Sequence, residues 1–544
     1  MKTEQRLILA LALSFLIIAF YPYVLKMFFP SLAPQPQTNV EAPQEKKPVS
    51  APLASNEPAL RAPKFSANLE EIQVGQYDLK ISAAGALIQY LDLRNFKNGT
   101  KEGNVLINAQ DGPGAFQINL EGFESASSTG MFTQKSRPGE KYGVVSYQAT
   151  FDNKILMEKK FDFAPSKNAF GFTLILTNLT DQPITTSYEL SSQLYFTEKN
   201  GYDYSFVELT LLTPEKVLSK KADKLKKDPY IHQGEINWLA LSRKYFSIIF
   251  APGANVQIAE IKGKELTPDI LEASLKSKRI ELPPKGQVSQ EYLVYAGPNS
   301  YEELKTFGLG FQKILSKGFF GPLRIGMLLT LHWCYKWIPN YGIAIILLTV
   351  FVKILFAPLT HISFESMRRM HALQPKIKGL QAAYKNDPQR MQKELMALYK
   401  KNKVNPLGGC LPMLLQMPIF IALYQVLSQA VELRGASFFG WIHDLSQPDR
   451  LFTLPFDIPF LGNGINVLPL IMIGSMVWQQ KLTPSSGMDP QQEKMMMFMP
   501  IIFGLVFYNL PSGLVIYWTL SNFLTIFHQL LIKRIPFHLH PDTV

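Results

Sequence analysis

Apolar positions crowd into the first 30 residues and into the region beyond about residue 320, and short polar-alternating stretches lie between. Residues 7–25 run 19 positions without a charge, about what a helix needs to cross a ~30 Å hydrocarbon core. They predict a first membrane span. A cleaved signal peptide is the alternative, because Lys2 and Arg6 make a basic start and Ser31-Leu32-Ala33 is a small-x-small site; the long apolar core and Pro34 directly after the cut argue against it. Residues 341–359, uncharged but for Lys353, predict a second span; 410–431 predict a third and 465–478 a shorter fourth. Between Lys494 and Lys533 there are 38 residues without a formal charge. As one helix they would extend ~57 Å, nearly twice the membrane core, so they must turn back. Asn509-Leu510-Pro511-Ser512-Gly513 marks the turn, giving spans at 495–510 and 514–532. Six spans follow.

Between the first two spans the pattern changes twice. Residues 30–63 carry eight prolines among small polar residues, a composition for an extended, solvated tether. From 65 to about 300, alternating stretches such as 116–120 and 172–177 are separated by turn signals such as Asp111-Gly112-Pro113-Gly114, the pattern of an antiparallel β-sandwich. Residues 320–337 mix aromatic, apolar and basic groups as a helix lying in the membrane interface does; Arg324, His332 and Lys336 argue against a seventh span. The expected organisation is an anchor at 1–29, a linker at 30–64, an all-β domain at 65–318, an interfacial helix at 319–338, a helical membrane core at 339–535 and a tail at 536–544.

Composition supports a membrane protein. Only 18% of residues are charged while 47% are hydrophobic, against about 25% charged in soluble chains. Two cysteines, Cys334 and Cys410, exclude a disulfide scaffold and a cysteine-based metal cluster. The net charge of +12 is unevenly placed. Loop 361–409 holds ten Lys and Arg, among them Arg368, Arg369, Lys376, Lys378, Lys400 and Lys401, against Glu365, Asp387 and Glu394. It belongs in the cytoplasm. Loop 432–463, with four acidic residues against Arg434 and Arg450, belongs outside. Both termini are then cytoplasmic and the β domain is external, in the periplasm of a double-membrane bacterium. Within 361–409, apolar residues at three- and four-residue intervals on both sides of Asn386-Asp387-Pro388 predict a hairpin of two amphipathic helices. Its basic faces suit anionic lipid, a ribosome or a nascent chain. No RNA-binding motif supports specific nucleic-acid recognition, and no phosphate loop or metal-spaced cluster calls for a nucleotide, metal or other cofactor.

Lys353 carries the chemistry. It falls about 18 Å along its span, where an ionised side chain costs about 2.5–3.5 kcal/mol, and no acidic residue lies within any span to pair with it. Thr349 is one turn earlier, Tyr517 with Ser521 and Trp518 with Asn522 form polar-tipped i,i+4 pairs, and Gln416 and Gln425 add amides. The expectation is a water-containing groove around Lys353. Snorkelling of Lys353 to the headgroups is the alternative. Two further readings compete: a small-solute transporter or channel, for which no internal repeat is visible, and a Ser–Lys intramembrane protease using Ser521 or Ser428.

The strings Thr349-Val-Phe-Val-Lys353, Ala357-Pro-Leu-Thr360, Asn405-Pro-Leu-Gly-Gly-Cys-Leu-Pro412, Gln416-Met-Pro-Ile-Phe420, Trp441-Ile-His-Asp-Leu445 and Pro511-Ser-Gly-Leu-Val-Ile-Tyr517 closely resemble the YidC family of membrane protein insertases. The match is dense over 320–535, and the anchor plus large outer domain resembles the Gram-negative branch. The resemblance implies a five-helix insertase core with a hydrophilic groove open to cytoplasm and lipid, and a β-supersandwich outer domain. It implies no enzyme activity, substrate contact along the third and fifth spans, Phe420 included, and partnership with nascent membrane proteins, the Sec translocon and ribosomes. Lys353 stands where the family usually has Arg; it keeps the charge but loses the planar fork.

Overall fold

The computed structural model describes residues 69–534 apart from 97–103, 110–113, 138–142, 164–167, 197–202, 385–386, 403, 405–410, 459–460 and 483–489. The expected anchor, linker and tail lie outside the described residues.

Alternation builds the outer domain. Ile155–Phe163 buries every second side chain, and Ala169–Asn178 does the same, so each strand offers one apolar face. They pair antiparallel with Phe161 opposite Phe172. Around them forms a nine-stranded sheet, which runs from Val217–Lys221 at one edge to Thr133–Ser136 at the other. A five-stranded sheet centred on Ile270–Ser277 and Tyr188–Tyr195 ends at Gln117–Leu120. The two share a core: Phe116, beside the smaller sheet's edge, meets Phe161, Phe172 and Phe250 of the larger at ring-centroid distances of 5.3, 5.0 and 5.4 Å. A four-stranded sheet, Leu69–Val74 to Val105–Asn108, adds to the same core. This is the β-rich domain the alternation predicts.

One charged residue is sealed inside that core. Lys159 has no exposed surface; its Nζ donates to the carbonyls of Gly85 (2.6 Å) and Phe116 (2.8 Å) and lies 5.3 Å from the Phe132 ring centre. Both carbonyls come from bends with positive φ, +73° at Gly85 and +66° at Phe116. A Cβ at Gly85 would stand 2.6 Å from the Ser128 carbonyl oxygen, so only glycine fits that turn. Lys159 thus joins two bends that backbone bonds also hold, from Gly85 N–H to the Gly130 carbonyl at 2.7 Å and from Ala115 N–H to the Ile88 carbonyl at 2.9 Å.

The second half is helical. We number its helices α1 Gly321–Trp337, α2 Tyr341–Ala372, α3 Gln374–Ala383, α4 Pro388–Lys401, α5 Leu411–Gln429, α6 Leu468–Leu482, α7 Pro490–Phe507 and α8 Ser512–Arg534. Among the described residues, Tyr341–Ala372 and Ser512–Ile532 are long and apolar enough to cross a membrane. Asn340 caps α2 by accepting from the Ile343 amide at 3.1 Å. Gly342 lets α2 approach the Phe438 ring, which a Cβ would strike at 1.9 Å. Pro358 lies within α2 without ending it.

Three boundaries differ from the sequence reading. First, α2 continues through the expected loop start to Ala372, so Met367 and Met370 ride on it; the break comes at Leu373, because Pro375 has no amide to return to the His371 carbonyl. Second, α6 begins at Leu468, not 465, since Ile465 and Asn466 pair into a strand. Third, α7 begins at Pro490 and ends at Phe507, so the uncharged run from 495 keeps 13 helical residues, about 20 Å, against the 16 expected.

Asp387 does cap α4, accepting from the Arg390 amide at 3.0 Å with Pro388 at the first helical position. Leu373, Ile377 and Val404 form the small hairpin core with Met370, Leu395, Leu398 and Tyr399.

The outer domain is clasped to the helices by polar contacts. Half-buried Lys317, in the turn just before α1, binds the Glu208 carboxylate and the Thr210 hydroxyl. Glu432, after α5, accepts from Ser300 at 3.1 Å and lies 3.5 Å from His332 of α1. Arg434 donates to Asn104 at 2.8 Å and covers the rings of Tyr245 and Phe246.

Burial pushes the Lys159 ammonium down from 10.5 to about 7. A lysine whose folded value is depressed weakens the fold when protonated, and that penalty fades as pH rises from about 7 toward the unfolded value. Thermal unfolding of the outer domain is therefore expected to shift upward over that window. Lys159→Met should abolish this pH slope, and Lys159→Ala should cost about 2–4 kcal/mol by leaving two carbonyls unpaired, measured by calorimetry on the full chain.

Candidate functional site

The site is built where α2, α5 and α8 meet. On α8, Tyr517, Ser521 and Thr525 recur every four residues and so form one polar stripe. Lys353, half-buried on α2, reaches that stripe: its Nζ donates to Thr525 Oγ1 at 2.9 Å. Thr525 in turn donates to the Ser521 carbonyl at 2.7 Å. Among the described residues no carboxylate lies within ion-pair distance of Lys353. Its neighbours Phe351, Ile354 and Leu355 are exposed, at 55%, 68% and 61%. The ammonium thus has a neutral partner and spare donors inside an apolar surround.

Two helical turns from Thr525 toward the start of α8, Gln416 of α5 donates to the Tyr517 hydroxyl at 2.5 Å. Phe420 meets Trp518 edge-on at 5.0 Å, and Trp518 also lies against Phe503 and Phe507 of α7 at 6.0 and 5.2 Å. This aromatic junction ties three helices together. The Trp518 Nε1 is buried without a hydrogen-bond partner among the described residues.

Other expected members sit elsewhere. Thr349 shares the Lys353 side of α2 but is fully buried, and its hydroxyl returns to the Ile345 carbonyl at 2.6 Å. Asn522 faces α6, donating to Ser475 Oγ at 2.9 Å in a buried contact. Ser521 is buried, and neither it nor Ser428 bonds Lys353, so the pairing a Ser–Lys protease needs is not formed. Thr525 was missed by sequence reasoning. Its signal was the i,i+4 continuation of Tyr517 and Ser521.

Basic groups continue toward the α3–α4 end. His361 and His528 stack at 6.0 Å, and Arg368 donates to the Ile532 carbonyl at 3.3 Å. Arg369 pairs with Glu365, while Lys376, Lys378, Lys400 and Lys401 are exposed on the hairpin.

A large β domain joined to a helical region that holds, among the described residues, two helices long and apolar enough to cross a membrane defines a class, that of membrane proteins with a sizeable domain outside the bilayer. Residues 333–538 match the family model described as 60Kd inner membrane protein, and residues 71–327 match the YidC periplasmic domain. The membrane protein insertase YidC of Pelobacter propionicus is 32% identical over 98% of this chain and 99% of its own length. That of Syntrophobacter fumaroxidans is 32% identical over 98% of this chain and 100% of its own. A crystal structure described as an active YidC insertase with its first transmembrane domain resolved shares 18% identity at a TM-score of 0.38, covering 87% of this chain and 93% of that one. The chain belongs to the YidC family, with its β domain in the periplasm and its helical core in the inner membrane.

Asn522→Ala should remove the α8–α6 bond and lower thermal stability in detergent by about 1 kcal/mol, while insertion measured at a permissive temperature stays close to wild type. A larger loss of insertion than of stability would place Asn522 in substrate contact instead.

Proposed function

We propose that this chain is a membrane protein insertase and chaperone of the inner membrane, working through a hydrophilic groove centred on Lys353 and Thr525. The observation that carries the reading is the Lys353 ammonium bonded to a hydroxyl, with no carboxylate partner among the described residues. A charge in low dielectric attracts an opposite charge far more strongly than in water. An acidic group on a polar segment entering from the cytoplasm would be drawn to Lys353 and lowered past part of the hydrocarbon barrier.

The apolar part of the substrate would leave along α5 and α7. Met417 on α5 and Met497, Phe498, Ile501, Ile502 and Leu505 on α7 are exposed, a surface matched to a greasy helix in transit. Gln416, Phe420 and Trp518 would line the passage, with Tyr517, Ser521 and Thr349 packed beneath that surface. Neutralisation and sliding need no ATP, in keeping with the absence of a phosphate loop from the sequence.

The reading takes six spans, a core of α2, α5, α6, α7 and α8, both termini inside and the α3–α4 hairpin in the cytoplasm, and the excess of Lys and Arg in loop 361–409 supports that orientation. α1, with Trp333 and Trp337 at 60% and 73% exposure, would lie in the outer interface. The exposed lysines of the hairpin suit anionic lipid and the ribosome, and the Sec translocon is the partner expected of the family. A solute transporter is the weaker reading, because the lysine lies beside a lipid-exposed apolar surface instead of a closed passage.

In proteoliposomes, Lys353→Arg is expected to retain insertion of a single-span substrate with an acidic translocated segment. Lys353→Ala should reduce it on the order of tenfold, equivalent to about 1.4 kcal/mol, and a substrate with that segment neutralised should not respond. Equal insertion by all variants would remove the charge role. Deleting 374–401, which spares the Arg368 contact on α2, should abolish insertion without changing the far-ultraviolet spectrum beyond the lost helices.

A further inference from the structure

A two-stranded hairpin, Arg450–Ile458 with Gly462–Asn466, stands between α5 and α6 and joins no other sheet. Isolated two-stranded hairpins are marginal in water, and this one is poorly suited to water. Leu451, Phe452 and Phe456 are 38%, 63% and 61% exposed, and from Leu451 to Asn466 the only charge is Asp457. Nearby Phe439 is exposed as well.

Its root is fixed with care. The Asp449 carboxylate is 3% exposed and accepts from Trp441 Nε1 at 3.1 Å and from the Val467 and Leu468 amides at 2.9 and 2.7 Å, capping α6. Asn466 donates its backbone amide to the Tyr508 hydroxyl (3.1 Å) and its side-chain amide to the Tyr508 carbonyl (2.6 Å), and the Tyr508 hydroxyl donates to Gly464 at 3.0 Å. Tyr508 directly follows α7. The hairpin is therefore bolted to the ends of α6 and α7, at the level where those helices leave the hydrocarbon.

We infer that the 450–466 hairpin is a lipid-docking element whose aromatic side chains enter the outer leaflet of the inner membrane beside α6 and α7. Three observations choose lipid over another occupant. The patch is continuous with helices that themselves face lipid; it has the near absence of charge that the interface demands; and the exposed Trp333 and Trp337 of α1 show the aromatic chemistry of an interfacial belt on the proposed outer side. Burying Phe452 and Phe456 in lipid would hold the outer ends of α6 and α7 at a fixed depth. The inference rests on the proposed membrane placement of these helices.

The test places a nitroxide label singly at Phe452→Cys, Phe456→Cys, Phe498→Cys on α7 and Lys224→Cys in the periplasmic domain. The full chain carries Cys334→Ser and Cys410→Ser and is reconstituted in phospholipid bilayers. Relaxation by oxygen, which concentrates in lipid, is compared with relaxation by a water-soluble nickel chelate. Labels at 452 and 456 are expected to favour oxygen, as at 498, and the label at 224 to favour nickel. If 498 favours oxygen while 452 and 456 favour nickel, the hairpin lies in water and the inference alone falls. Protection of 452 and 456 from both reagents, with coupling between labels, would assign the hairpin to a second copy and also overturn it. Should 498 favour nickel, the membrane placement of α7 fails, and this inference with it.

Discussion

A cation held among apolar helices, with no anion beside it among the described residues, is the constraint on which the helical half turns. An ion pair would quench Lys353, and full exposure to lipid would be intolerable. The protein takes a middle course: one hydroxyl from Thr525, itself tied to its own helix, steadies the ammonium without neutralising it. The surrounding elements serve that arrangement. Gly342 and the Asn340 cap seat α2, Tyr517 and Gln416 join α8 to α5, and the Trp518 cluster draws in α7.

The periplasmic domain solves a different problem with similar means. Its sheets close over a phenylalanine core, and Lys159 is buried where backbone carbonyls alone receive it. Among the described residues both lysines do without carboxylate partners, one held by two backbone carbonyls and the other by a hydroxyl. The clasps at Glu432 and Arg434 run from this domain to α1 and the segment after α5, and Val431 of that segment is buried in the domain's own apolar core. Such contacts fix orientation at modest energetic cost to separation.

Much of this was legible in the chain. Alternation in 116–120 and 172–177 revealed strands because each buries one face, and Asp387-Pro388 announced α4 because capping is local chemistry. The singular position of Lys353 was plain from hydropathy. What escaped were matters decided by neighbours. Asn522 and Ser521 share a helix with Thr525, yet rotation against α6 sends Asn522 to Ser475 and gives the lysine to Thr525. Thr349 had the right spacing, but its hydroxyl found a carbonyl on its own helix first. The end of α2 was misplaced because polarity marked a loop at 361, whereas only Pro375 stops the backbone.

Pro358 shapes the same neighbourhood in a quieter way. Having no amide proton, it releases the Ile354 carbonyl from its helical obligation, and that carbonyl belongs to the residue next to Lys353. The turn around the lysine consequently exposes electron-rich oxygen beside positive charge. A surface of that mixed character can solvate a peptide bond as readily as a side-chain acid, which would let unrelated sequences share one path.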